Sequence, residues 1–112
     1  MSESLLEKRE RINELFAVYG GLLTDKQREI LSSYYVYDLS LSEISENLGI
    51  SRAAISDALK KGEEHLEKYE AELQVVKQKS ELLLRFADIR RLPVEERLEA
   101  YENLGREIEN GI

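Results

Sequence analysis

The segment LSLSEISENLGISRAAISDALKK, residues 39–61, ties this chain to a local architecture more tightly than any other stretch. Leu41, Ile44, Ser45 and Leu48 recur at helical spacing and predict a short amphipathic helix. Gly49 follows where the backbone must turn left-handed, a conformation glycine takes without a Cβ clash. Ile50 is placed to plug the corner. Ser51 predicts an N-cap, because its hydroxyl can accept an orphan N–H of the next helix's first turn. Ile55 and Leu59, four apart, then give that second helix an inward face. Two short helices joined by a tight glycine turn form a helix-turn-helix, the unit that lays a helix in the DNA major groove.

The outward positions of the second helix are Arg52, Ala53, Ser56, Asp57, Lys60 and Lys61. Arg52, Lys60 and Lys61 suit phosphates, and Ser56 can reach a base edge. The alanines offer only methyl contacts to thymine, and Asp57 repels the backbone unless it meets a cytosine amine. Within residues 41–61, Glu43, Glu46 and Asp57 balance Arg52, Lys60 and Lys61, which is weak for a DNA reader. The rival reading keeps the same two helices as a scaffold for protein contacts.

Net charge is −7, which argues against strong non-specific binding to nucleic acid. Residues 62–112 carry thirteen acids and eight bases, so most of the excess lies outside the motif. A 35% charged chain of 112 residues with one proline favours a single, nearly all-helical fold with a modest core. The lack of cysteine excludes disulfides and thiolate metal sites. No uncharged apolar run approaches membrane-spanning length. The charged stretch MSESLLEKRERINELF lacks a signal peptide's apolar region, so a cytoplasmic location is expected.

Three further helical stretches flank the motif. Leu5 to Tyr19 carries Leu5, Ile12, Leu15, Phe16 and Tyr19 on one stripe, and Gly20-Gly21 breaks it. LLTDKQREILSSYYVYDL, residues 22–39, predicts a helix with a capping box on Thr24 and Gln27 and a buried face of Ile30, Leu31, Tyr34 and Tyr35. The tyrosines at 34, 35 and 37 are read as an aromatic cluster closing the core rather than as a base-stacking platform. After the motif, Ile55, Leu59, Gly62, Leu66, Tyr69, Leu73, Val76, Ser80, Leu83 and Ala87 alternate four and three apart, a coiled-coil spacing. Gly62 marks a bend or the end of the recognition helix. A continuous helix from Ser51 to Arg91 would span roughly 60 Å. Leu92-Pro93 ends it, and Val94, Leu98, Tyr101, Leu104 and Ile108 predict a final amphipathic helix. The expected division is residues 1–62, holding the helix-turn-helix, and 63–112, an oligomerisation extension. A homodimer is expected through Leu66, Tyr69, Leu73, Val76, Leu83 and Phe86. The alternative is a monomer in which the C-terminal helix folds back over the seam.

The order TDKQREILSSYYVYDLSLSEISENLGISRAAISDALKKGEEHLEKYE resembles region 4 of bacterial sigma factors. There, too, a helix beginning T-x-x-Q-R (Thr24, Gln27, Arg28) precedes the helix-turn-helix. It is more closely similar to the YlxM-type family of small bacterial helix-turn-helix proteins. The shared features are LLTDKQ (22–27), Tyr34, Tyr35 and Asp38, SLSEIS (40–45), the turn ISR (50–52) and EEHLEKYEAEL (63–73). The likeness covers roughly residues 5–75. With the helical stretches above, the expected fold is all-α, a sigma-region-4-like helix-turn-helix with a long C-terminal helical extension. The resemblance implies a DNA-binding or regulatory role linked to components of the signal recognition particle pathway. One departure falls on the reading face. Where the family runs S-R-Q-A-V-Y-D, this chain has SRAAISD, with alanines at 53 and 54 and Ser56 in place of tyrosine.

No catalytic constellation is present. There is no phosphate-cradling glycine loop, no nucleophile with a matched base and no paired carboxylates in an implied cleft. The reading is therefore not an enzyme, with no cofactor, metal or small-molecule ligand. His65, the only histidine, lies among Glu63, Glu64 and Glu67 and is read as a solvated helix residue. The basic run KRER (8–11) is read the same way.

Overall fold

The computed structural model describes residues 4–111, so Met1–Glu3 of the charged amino-terminal stretch lie outside it. The described residues form six α-helices and no strand. They are α1 (Leu5–Tyr19), α2 (Asp25–Leu31), α3 (Leu41–Leu48), α4 (Arg52–Leu73), α5 (Val75–Arg90) and α6 (Val94–Glu109). None is long and apolar enough to cross a membrane.

Short-range hydrogen bonding sets the helix starts. Ser4 caps α1 by accepting from Glu7 N at 3.1 Å. Thr24 and Gln27 close the expected capping box on α2, at 3.2 Å in both directions. A 3₁₀ turn at Gly20–Leu22 joins α1 to α2, and a π-helical turn at Ser32–Val36 continues α2. That π turn ends on Tyr37 N donating to Ser32 O at 3.0 Å, with Asp38 at φ 56°.

The π turn was not legible in the sequence, and it presents Tyr34 and Tyr35 to one cation. Arg9 of α1 lies 5.1 Å from the Tyr34 ring centroid and 5.4 Å from that of Tyr35. Its Nη2 also donates to Tyr34 O at 2.9 Å and Asp38 Oδ1 at 3.0 Å. The two rings meet edge to face, 4.9 Å apart. Tyr37 departs from the expected cluster: it is 71% exposed.

The chain packs as two units, one up to Val76 and the other from Lys77. The first is built around α4, which packs on α1, α2 and α3. Leu15, Leu31, Ile44, Ile55 and Leu66 are all essentially sealed from solvent. Gly62 lies inside α4 and does not end it. A Cβ there would come 2.5 Å from Leu31 Cδ1, so the glycine lets α4 close onto α2. The packing division falls after Val76 rather than after Gly62, because Leu66, Glu70 and Val76 are buried with the helix-turn-helix.

The expected single helix from Ser51 to Arg91 is corrected. Gln74 takes a left-handed conformation, φ 55°, and ends α4 with its N–H on Glu70 O at 2.8 Å. The six-residue dimer seam is corrected with it. Leu66 and Val76 belong to the core of their own chain and have no surface left for a partner. Tyr69 is half-buried, its ring 6.1 Å from Tyr19 and its hydroxyl on Leu22 O at 3.4 Å. Phe86 is half-buried with its ring 6.1 Å from Tyr101. Only Leu73 and Leu83 of the six are exposed.

In the second unit Ile89 and Leu104 are buried. Arg97 ties the end of α5 to the start of α6, donating to Arg90 O and Leu92 O at 3.0 Å. Pro93 occupies the N-cap of α6.

Candidate nucleic-acid interface

α3 and α4 form the helix-turn-helix. Ser40 and Glu43 make a reciprocal capping box at 3.1 Å, which fixes where α3 starts. Gly49 ends α3 at φ 68°, its N–H on Ser45 O at 2.9 Å. The Ser45 hydroxyl donates to Ile50 O at 2.5 Å and pins the far side of the turn. Ser51 then caps α4, accepting from Ala54 N at 3.1 Å. Ile44, Ile55 and Leu59 are buried, and Leu48 and Ile50 pack against the core as partly buried residues.

This packing turns the opposite side of α4 outward. Arg52, Ala53, Ser56, Asp57, Lys60 and Lys61 are all exposed. Arg52, Ser56 and Lys60 form one row four residues apart, and Ala53, Asp57 and Lys61 form the next. Arg52 is anchored: its Nη1 donates to Ser42 Oγ of α3 at 3.0 Å, bridging the two helices. Lys61 pairs with Asp57 at 3.0 Å, both more than half exposed. Such a pair adds little to stability, but it removes one free cation from the outward face.

Further along α4 the surface turns acidic, and the basic run of α1 answers it. Lys8 pairs with Glu63 at 3.2 Å, and Arg11 grips Glu67 with two hydrogen bonds at 3.1 and 3.0 Å. The Glu67 hydrogen bond holds the Arg11 guanidinium above its ordinary pKa. Glu63 also accepts from the Tyr35 hydroxyl. Burial pushes that phenol well up, and Glu63 adds to the shift. The KRER run is therefore not a freely solvated face: Lys8, Arg9 and Arg11 each bind a partner distant in sequence. His65 is exposed and meets Gln27 Nε2 at 3.3 Å. Among the described residues no group of three or more His, Cys, Asp or Glu side chains could hold a metal.

Fold and exposed face together define a helix-turn-helix protein with an outward helix of mixed charge. The chain belongs to the family described as "Putative helix-turn-helix protein, YlxM / p13 like", whose sequence model matches residues 6–104. A UPF0122 protein of Caldanaerobacter subterraneus subsp. tengcongensis is 51% identical over 76 residues, covering 68% of this chain and 65% of the relative. A UPF0122 protein of Thermoanaerobacter pseudethanolicus is 44% identical over 103 residues, 85% of this chain and 88% of the relative. One from Bacillus cereus is 44% identical over 92 residues, 82% and 84% respectively. The family match runs past residue 75, where the resemblance read from motifs ended, and takes in α5 and most of α6.

Proposed function

We propose that this chain is a cytoplasmic DNA-binding regulatory protein that reads DNA with the outward face of α4. The observation that carries the reading is the joint exposure of Arg52, Ser56 and Lys60 on one row of a helix capped and braced from behind by α3. Arg52 and Lys60 would neutralise phosphates, with Lys61 a third once released from Asp57. Ser56 is the polar side chain placed for a base edge. With so few phosphates met, the salt slope of binding should be shallow, about −3 or less steep.

The rival reading is an adaptor that uses the helix-turn-helix as a scaffold, with the signal recognition particle components implied by the resemblance as partners. The Asp57–Lys61 pair and the acidic row Glu63, Glu64 and Glu67 favour it, because they hold down the positive potential of the face. Titration of a genomic DNA pool at several salt concentrations separates the two. Salt-dependent binding that disappears when Arg52, Lys60 and Lys61 are changed to alanine supports DNA reading. Unchanged affinity in that triple variant removes α4 as the reader, and no binding at low salt favours the adaptor.

A further inference from the structure

We propose that the α5–α6 hairpin is a docking surface for a second copy of this chain, α5 of each protomer lying against α6 of the other. The unit from Lys77 onward has 36 residues. Domains below about 40 residues need a disulfide, a metal or a partner chain to hold a core. The chain has no cysteine, and the described residues offer no cluster able to hold a metal. From Lys77 onward, Ile89 and Leu104 are the apolar side chains that the hairpin buries.

What stays exposed is organised. On α6, Val94 (72% exposed), Leu98 (69%), Tyr101 (40%) and Ile108 (45%) share one face, about a quarter-turn from buried Leu104. Leu83 (55%) and Leu84 (66%) of α5 are left open as well. On the transfer scale these six side chains amount to roughly 500 Å² of apolar surface per protomer. Two copies together reach about 1,000 Å², the lower limit for a specific interface. Gly105 lies in the middle of the α6 stripe. A Cβ there would meet nothing within 4 Å, so the hairpin itself does not require a glycine. A mid-helix glycine is unfavourable in isolation and lets a neighbouring helix approach closely.

Charge selects the occupant. α5 carries four bases and two acids, whereas α6 carries six acids and two bases; Arg85 already pairs with Glu107 inside the hairpin, and the remaining contrast is open to a partner. A two-fold pair matches both helices at once by setting the basic helix of each copy on the acidic helix of the other. Pairing α6 with α6 would bring like charges together. The product is a four-helix bundle made of two hairpins.

Sedimentation equilibrium of the full chain, without DNA, tests this independently of the proposed DNA reading. The expected result is a species of twice 13.0 kDa at tens of micromolar. Leu98→Glu should raise the dimer dissociation constant roughly 100-fold or more, since it places a charge in the apolar contact. Gly105→Gln favours the helix yet fills the close approach, and should weaken the dimer about tenfold. Circular dichroism should show helicity kept in both variants. A monomer in the unaltered chain overturns the proposal. So does a dimer that survives both changes and is lost in Leu73→Asp, which would move the contact to the end of α4.

Discussion

The Tyr19 hydroxyl donates to Glu70 Oε1 at 2.5 Å across 51 residues of sequence, and together the two decide where α4 ends and α5 begins. The same Glu70 oxygen accepts from Val76 N at 3.1 Å, and the Tyr19 oxygen accepts from Val75 N at 3.1 Å. The first amides of a helix have no partner within it. Here two of them are met by side chains of α1 and α4, which compensates for the left-handed backbone at Gln74.

Removing that carboxylate should therefore be costly. Glu70→Ala leaves a buried N–H and a buried hydroxyl without their acceptor, for a loss of about 2–3 kcal/mol in urea denaturation. Glu70→Gln keeps an acceptor oxygen and should cost clearly less. Equal stability of the alanine variant and the unaltered chain would show that the contact does not hold the break.

The two buried phenols predict alkaline sensitivity. Burial first, then the Glu70 hydrogen bond, holds Tyr19 above its ordinary pKa, against the opposing Val75 N–H. Burial first, then Glu63, raises Tyr35 further. Above pH of about 10 the unfolded chain releases these protons while the folded chain retains them. The unfolded state then binds fewer protons, so stability falls as pH rises. The contribution is fully present below that pH. Urea midpoints measured from pH 8 to 11.5 should drop above 10, and the Tyr19→Phe, Tyr35→Phe double variant should drop less steeply.

What could be read in the sequence and what could not divide by the range of the interaction. The Thr24 box, the Gly49 turn and the Ser51 cap each close within three or four residues, so residue type and spacing suffice. The end of α4 is different. The four-three spacing runs unbroken from Leu66 through Leu73 to Leu83, and no local pattern reports that Tyr19 and Glu70 intercept it. The burial of Leu66 and Val76 within their own chain was not legible for the same reason: a stripe shows that a face is apolar, not what covers it. The Arg9 clamp depends on a π turn 25 residues away that composition does not signal. At the candidate interface, the six outward positions were legible from period alone. The tether of Arg52 to Ser42 was not, because it depends on how α3 and α4 cross.

Gly62 offers a test of the packing between α4 and α2. Alanine is the better helix former by about 1 kcal/mol, so an unhindered site would gain stability. At Gly62 the added methyl meets Leu31 Cδ1 at 2.5 Å, and Leu31 is itself fully enclosed. Overpacking of that kind costs about 1–3 kcal/mol, so Gly62→Ala should come out net destabilising. Pairing it with Leu31→Ala should show strong non-additivity, since the second change clears the space the first one needs. Simple additivity in thermal or urea unfolding would mean that α4 and α2 do not meet at this point.

The mixed charge of the reading face gives the last prediction. Asp57 stands on the row beside Arg52 and Lys60 and holds Lys61 at 3.0 Å. If that face meets DNA, the carboxylate acts against binding twice, by repelling phosphate and by occupying a cation. Asp57→Asn keeps the size and shape of the side chain and removes both effects. Stability should shift by no more than about 0.5 kcal/mol, because the pair is exposed. Affinity for DNA at low salt should rise about three- to tenfold, and the salt slope should steepen by about one as Lys61 becomes free to meet a phosphate. Fluorescence anisotropy at several salt concentrations reads both quantities together. A gain in affinity without a steeper slope would assign the effect to relieved repulsion alone, and no gain would place the DNA contact away from this face of α4.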